Sequence, residues 1–341
     1  MTSLSLCLIV RDEQEMLPRF LSAVAGLADE IVAVDTGSTD DTVALLEAAG
    51  ARVEQRPWTG DFAAARNASL DLATGDWALV LDPDELPGDG FADALRAVLA
   101  SGQHGAAAVT IRNLLPHGHH RDSVIVRAFR RDPSVRYVHR IHEDATASVL
   151  ALLEREDLAL GSVAPLITHL GYLRERAEDK DKKTRDRELL EQVIVEEPDD
   201  LYVRFKLLEL ARFWGDEPML AASAKQTWAA VEARPALRDA LREAPWGGEL
   251  LALIATGRFH DLDPRLDFLM TEGARVTTSP AFLLARAELL ERAGRSEEAR
   301  ADFQRCLELA DATIQRTTTR PLLGLARLAL AGGDVTNALA S

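Results

Sequence analysis

The sequence predicts an α/β domain followed by an all-α unit. Three observations carry this. Apolar strand-like runs alternate with helical spacing over the first hundred residues. Strand signals then continue, without long helices between them, from Gly105 to about Thr168. From about Arg174 onward they stop and helical spacing takes over. Alternating strands and helices imply a mostly parallel sheet, and the middle stretch adds a mixed, partly antiparallel side to it.

Leu4–Val10 is an aliphatic run and the first expected strand. Met16, Leu17, Phe20, Leu21 and Val24 give helical spacing over Met16–Leu27. Glu30–Val34 is a short buried strand. Ser38-Thr39-Asp40-Asp41 matches a capping box before a helix over Val43–Ala49, which Gly50 stops. Ala51–Gln55 is the next strand, and Asp61–Ala73 a helix that starts on Asp61. Trp77–Leu81 is a fourth strand, ended by Asp82-Pro83-Asp84-Glu85. Ala107–Leu115, Ser123–Arg131 and Val163–Thr168 complete the strands. The domains are expected to span residues 1–175 and 176–341, with a charged helical start at Glu175–Glu188.

Composition bounds the function. The 341 residues hold 39 Lys and Arg against 55 Asp and Glu, a net charge of −16 without a basic tract. Sequence-independent nucleic-acid binding needs cations for the phosphates and is excluded on that ground. Cys7 and Cys306 are the only cysteines, too few for a disulfide framework or a thiolate metal site, and a reducing compartment is expected. Arg11-Asp12-Glu13 comes directly after the first apolar run, so that run reads as a strand and not a signal peptide. No stretch reaches the roughly 18 apolar residues of a membrane span. A cytoplasmic location is the expectation.

Ligands of open α/β sheets bind at the carboxyl ends of strands. Three strand ends deliver acidic residues there: Arg11-Asp12-Glu13, Asp35-Thr36-Gly37-Ser38-Thr39-Asp40 and Asp82-Pro83-Asp84. Clustered carboxylates repel unless a cation or donors intervene, and a divalent metal suits oxygen ligands. Each residue also has a plainer reading. Asp82-Pro83-Asp84 is a turn sequence, Asp35 a cap or turn residue, and Glu13 a first-turn acid facing the helix dipole.

The stretches SLCLIVRDEQEMLPRFLSAV, DEIVAVDTGSTDDTVALLEAAGARV and PWTGDFAAARNASLDLATGDWALVLDPDE together resemble family 2 glycosyltransferases of the GT-A fold. The likeness is close over about the first 90 residues and looser to about residue 175; RIHED and ITHLGY resemble downstream motifs of a bacterial branch with a helical extension. The resemblance implies a nucleotide-diphospho-sugar transferase fold and an inverting, metal-dependent transfer from a nucleotide sugar, a UDP-sugar, using Mn²⁺ or Mg²⁺. It implies that Val10 and Glu13 border the base and ribose. Asp35 would bond the base, Arg66 the nucleotide, and Asp82 the ribose or a metal-bound water. Asp84 would ligate the metal, with His169 closing over the diphosphate or completing the metal shell. Glu143 aligns with the family's HE motif as the base, with Asp144 the alternative one residue on. Asp-Pro-Asp stands where many relatives have Asp-Ala-Asp, and Asp12 replaces a common Asn. Without the resemblance, Arg140–Asp144 reads as a charged turn and His169 as a hydrogen-bonded structural histidine.

His117, His119 and His120 lie in a Gly-containing loop, read as a solvated acceptor-site loop. Lys180, Lys182, Lys183 and Arg185 alternate with acids and read as a solvated helix face. Trp58 either borders the donor site or packs where the next helix begins.

In the second half, Leu283, Ala287, Leu290, Gly294, Ala299, Phe303 and Cys306 resemble a tetratricopeptide repeat, two antiparallel helices about a turn. Leu201–Trp228, turning at Gly215-Asp216, and Leu322–Ala340, turning at Gly332-Gly333, resemble it more weakly. This half is expected to bind a peptide, protein or glycan acceptor, or to join copies of the chain. Two other functions compete. One is an interaction scaffold with a degenerate nucleotide-binding domain. The other is a nucleotidyltransferase, which the acidic, Gly-free Arg11–Glu15 loop disfavours.

Overall fold

The computed structural model describes residues 2–114, 120–170, 179–276, 278–312 and 319–331. The strands β1 (Leu4–Val10), β2 (Glu30–Asp35), β3 (Arg52–Gln55) and β4 (Trp77–Val80) pair in parallel in the order β3-β2-β1-β4. The central strands β1 and β4 are buried almost throughout, the mark of parallel strands covered on both faces. Helices α1 (Leu17–Ala23), α2 (Thr42–Ala48), α3 (Phe62–Leu72), α4 (Phe91–Ala100) and α5 (Thr146–Arg155) supply the cover.

Side chains alternate across the sheet. Leu4, Leu6, Leu8 and Val10 pack with Leu17, Phe20, Leu46, Phe91 and Leu95 on one side. Cys7 and Val80 pack with Ala63, Leu70, Val149 and Leu152 on the other. Each fully buried Leu or Phe contributes roughly 1.5–3 kcal/mol. Burial pushes the Cys7 thiol up to about 12, so this cysteine is core and not a nucleophile.

The second half of the sheet is mixed. The strand β7 (His120–Arg130) runs antiparallel to β4 and to β6 (His104–Leu114). The strand β8 (Ala159–His169) runs parallel to β6, and β5 (Glu85–Pro87) closes the edge antiparallel to β8. The result is the mixed, mostly parallel sheet that the sequence predicts, in the order β3-β2-β1-β4-β7-β6-β8-β5.

Two local expectations are corrected. The stretch expected to lack long helices contains α5, whose Val149, Leu152 and Leu153 are buried at helical spacing. The capping box at Ser38–Asp41 does not form, and Asp41 is an N-cap with no side-chain bond. Asp40 accepts the Thr42 N–H at 3.0 Å instead, while the Ser38 hydroxyl is drawn to Asp35 at 2.5 Å.

The chain divides into two compact units between Lys182 and Lys183. The second holds helices. These are α6 (Asp179–Glu196), which begins before the division, then α7 (Leu201–Phe213), α8 (Glu217–Ala233), α9 (Pro235–Glu243), α10 (Gly247–Arg258), α11 (Leu262–Gly273), α12 (Pro280–Arg292), α13 (Ser296–Ala312) and α14 (Thr319–Ala331). The hairpins expected around Gly215 and Gly294 form as α7–α8 and α12–α13. Both glycines take positive φ, +62° and +74°, which suits residues without a Cβ. Asp200, Asp216 and Ser279 cap the helices that come after them, each accepting an N–H three residues on. Ala287, Ala299, Phe303 and Cys306 are buried between α12 and α13 as the repeat spacing requires. The pair α10–α11 has no counterpart among the expected hairpins. The turn at Gly332-Gly333 lies outside the described residues. Among the described residues no helix is long and apolar enough to cross a membrane.

Candidate active site

Strand register sets the first rim. Val10 pairs with Asp35, so the exits of β1 and β2 lie side by side. The loops leaving them are stitched together. Asp12 N–H donates to Ser38 Oγ at 2.9 Å, Thr39 N–H to Asp12 Oδ1 at 2.7 Å, and Glu13 N–H to Thr42 Oγ1 at 2.7 Å. Asp12 takes φ +51°, a strained value for a residue other than glycine. Asp35 is buried and accepts from the Gly37 and Ser38 amides at 3.1–3.3 Å. Val10 has its side chain in the core, so it offers the rim only backbone. Glu13 is half-buried and its carbonyl accepts from Met16 and Leu17 in the turn that opens α1.

The second rim is built around Arg66 of α3. This side chain is 5% exposed and donates through Nη2 to Asp82 Oδ1 at 2.8 Å and through Nε to Glu143 Oε1 at 3.0 Å. One guanidinium therefore joins the β4 exit to the Arg140–Asp144 segment. Burial alone would raise the Asp82 carboxyl, but Arg66 and then Arg127 overturn this and hold it below the usual range. Burial raises the Tyr137 phenol nearby to about 12.

The Glu143 segment is clamped to α3. Asn67 Oδ1 accepts the Tyr137 N–H and Asn67 Nδ2 donates to the Tyr137 carbonyl, both at 2.9 Å. Phe62 N–H donates to the Arg140 carbonyl at 2.7 Å. Val138 and Asp144 exchange two backbone hydrogen bonds, and His139 and His142 between them take φ +69° and +56°. Asp144 Oδ1 accepts from Thr146 Oγ1 at 2.7 Å, so its side chain serves the start of α5. Glu143 is the carboxylate of this pair that reaches Arg66.

Asp84 and His169 come together through β5 and β8. Glu85 lies opposite His169 in register, and Leu170 N–H donates to the Asp84 carbonyl at 3.0 Å. This leaves His169 Nε2 3.2 Å from Asp84 Oδ2, while Nδ1 is 2.8 Å from Asn113 Oδ1. Burial would lower the His169 pKa, but the Asp84 hydrogen bond and charge, with Glu85 and Asp82 behind, raise it above its ordinary value. The carboxylate is the oxygen donor that hard divalent cations favour, and the imidazole, oriented at its other nitrogen by an amide oxygen, is a nitrogen donor beside it. Among the described residues no group of three or more His, Cys, Asp or Glu assembles that could hold a metal ion.

Four contributors lie outside the residues expected from the sequence: Glu85, Arg127, Asn67 and Asn113. A lone arginine inside the apolar run Val124–Phe129 is the available signal for Arg127. Of the other expectations, His117 and His119 lie outside the described residues, as do the side chains of Lys180 and Lys182. Lys183 donates to Asp216 at 2.7 Å and Arg185 to Asp186 at 2.8 Å, both salt bridges within the helical part. Trp58 packs edge-on against Phe62, 4.6 Å between centroids, where α3 begins. No hydrogen bond or ion pair among the described residues joins Asp35 to the Arg66 cluster.

Residues 5–114 match the Glycosyl transferase family 2 profile. The chain is 38% identical over 242 residues to a TPR repeat-containing protein of Synechococcus elongatus, covering 70% of this chain and 59% of that protein. It is 33% identical over 118 residues to an uncharacterized glycosyltransferase of Rickettsia felis, covering 34% and 41%. The chain thus spans less than two thirds of the length of either relative. Glucosyl-3-phosphoglycerate synthase from Mycobacterium tuberculosis, solved with Mn²⁺ and uridine-diphosphate-glucose, aligns at 18% identity and a TM-score of 0.37, over 56% of this chain and 78% of that one. The profile match and the glycosyltransferase relatives place a Glycosyl transferase family 2 region at residues 5–114, within the N-terminal unit.

Proposed function

We propose that the chain moves a sugar from a nucleotide-diphosphate donor, a UDP-sugar, to a peptide, protein or glycan acceptor, by metal-dependent single displacement with inversion. The observation that carries this reading is the placement of the Asp84–His169 pair two residues from Asp82, which Arg66 ties to Glu143. A cation-holding pair and a candidate base thus share one rim of a family 2 domain.

Asp84 and His169 would hold the divalent cation, which when bound supplies positive charge for the departing diphosphate. Arg66 holds Glu143 by Oε1. Glu143 Oε2 has no hydrogen-bond partner among the described residues and is the atom that takes the acceptor's proton. The acceptor oxygen or sulfur forms its bond to the anomeric carbon from one side. The bond to the diphosphate oxygen breaks on the other, and its electron pair leaves with the nucleotide. Arg66 also fixes Asp82 beside the ribose. The helical unit binds the acceptor or brings copies of the chain together.

Calorimetry of UDP in the presence of Mn²⁺ tests the reading. The wild type should bind, and Asp84→Ala should lose the metal-dependent part while keeping its thermal midpoint. The corresponding loss of transfer is roughly 10³-fold if several kcal/mol of charge stabilisation go with it. Glu143→Gln should keep donor binding and lose transfer. An active Glu143→Gln beside an inactive Asp144→Asn would move the base to Asp144. Failure of the wild type to bind nucleoside diphosphates with Mn²⁺ would leave the helical hairpins as the functional part and make the chain a scaffold.

A further inference from the structure

Behind Asp84 lies a second charged pair that the proposed transfer does not use directly. Glu85 is buried, and its two carboxylate oxygens are separately engaged. Oε2 accepts the Asp82 N–H at 3.1 Å. Oε1 accepts from Arg127 Nη2 of β7. The Glu85 N–H in turn donates to the Asp82 carbonyl at 2.9 Å. The Asp82–Glu85 turn is therefore closed twice, once by backbone and once by the Glu85 side chain. Arg127 anchors this closure to the far strand and stands 3.8 Å from Asp82 Oδ2. Asp84 sits inside the closed turn, and the next residue along is the one in register with His169.

We infer that Glu85 and Arg127 are positioning residues that lock the Asp82–Glu85 turn and thereby aim the Asp84 carboxylate at His169. The inference rests on the reading of Asp84 and His169 as cation ligands. Neither Glu85, whose two carboxylate oxygens are already engaged, nor Arg127 would ligate the cation. Both act through the turn, as groups that orient ligands do in other metal sites, where their removal costs about 10- to 100-fold in metal affinity. The Arg127 guanidinium has a further reason to be there. It offsets the charge of a buried carboxylate that would otherwise be taken out of water alone.

Mn²⁺ binding in the presence of UDP, monitored by electron paramagnetic resonance of the free ion, tests this without any turnover. Three variants are compared with the wild type and Asp84→Ala. Glu85→Gln keeps an acceptor for the Asp82 N–H but removes the ion pair. The double variant E85M/R127M removes the side-chain closure, leaving the backbone one, without an uncompensated buried charge. Arg127→Lys keeps the cation but loses the planar fork. The expected order of Mn²⁺ affinity is wild type, then R127K and E85Q, then E85M/R127M about 10- to 100-fold weaker. Far-UV circular dichroism should be unchanged across the series. Equal Mn²⁺ affinity in the wild type and E85Q, or in the wild type and a folded E85M/R127M, overturns the inference. Equal Mn²⁺ affinity in the wild type and Asp84→Ala overturns the metal-site reading beneath it. A double variant that does not fold leaves E85Q as the deciding comparison.

Discussion

Arginine–carboxylate pairs occur in both units, and they do different things. In the N-terminal unit the Arg66 side chain is 5% exposed and holds two carboxylates from segments distant in sequence. In the helical unit the Arg320 side chain is 59% exposed and forks onto Glu288 at 2.6 and 2.7 Å. Both geometries are good. Their surroundings separate them. A buried charge must be repaid by its partners, so losing one partner leaves a charge stranded in low dielectric. An exposed pair competes with water and salt and contributes little. The same residue types thus organise a site in one unit and decorate a surface in the other.

The largest expected break is at Arg66. Arg66→Met keeps much of the side-chain volume, strands Glu143 and leaves Asp82 with only the more distant Arg127. A loss of about 3–5 kcal/mol in stability is expected, read by urea unfolding, along with loss of transfer. Arg66→Lys should not rescue it, because one ammonium cannot copy the guanidinium fork that meets both carboxylates. Full stability in Arg66→Met would erase the distinction between the units.

Arg286 sharpens the comparison from the middle. It forks onto Asp302 with both bonds at 2.7 Å, between α12 and α13, and its guanidinium lies 5.1 Å over the Phe282 ring. Asp302 is buried. Arg286→Met should cost about 1–3 kcal/mol through the carboxylate left without its donor. Because the pair lies in the helical unit, Mn²⁺–UDP binding should not move. A shift in that binding would mean that the repeat hairpins report to the donor site.

Legibility in the sequence divides along the same contrast between local and distant partners. The strands β1 and β4 are buried on both faces and β2 over its last four residues, so each reads as an apolar run, and Asp35 and Asp82 are recognisable as the acids that end β2 and follow β4. The strand β5 is three residues long and ends in Pro87, below any periodic signal. The helix α5 hides behind the polar Arg140–Asp144 segment. Arg66 and Glu143 are 77 positions apart, so no spacing rule joins them, and only resemblance points to each. Glu85 and Arg127 are illegible as a pair because their meaning depends on a β7 strand 42 positions away. The glycine-turned hairpins of the second half are readable where a positive-φ glycine separates two apolar periods. The pair α10–α11 lacks such a signal, since His260 and Asp261 fill the turn and no glycine marks it.

The smallest predicted effect sits at the exposed end of the comparison. Arg320 of α14 bonds Glu288 of α12 through Nη2 and Nε, so its geometry is as complete as that of Arg66. If geometry decided the matter, Arg320→Ala would be as damaging. Solvent decides otherwise. The guanidinium regains hydration when the pair is broken, Glu288 is not left buried, and the ordering of two long side chains is no longer required. The expected loss is under about 1 kcal/mol at low ionic strength. It should shrink further in molar salt, where the screening length falls to about 3 Å. A loss in Arg320→Ala that matched Arg66→Met and ignored salt would show that the helical unit also stakes its fold on a charge pair.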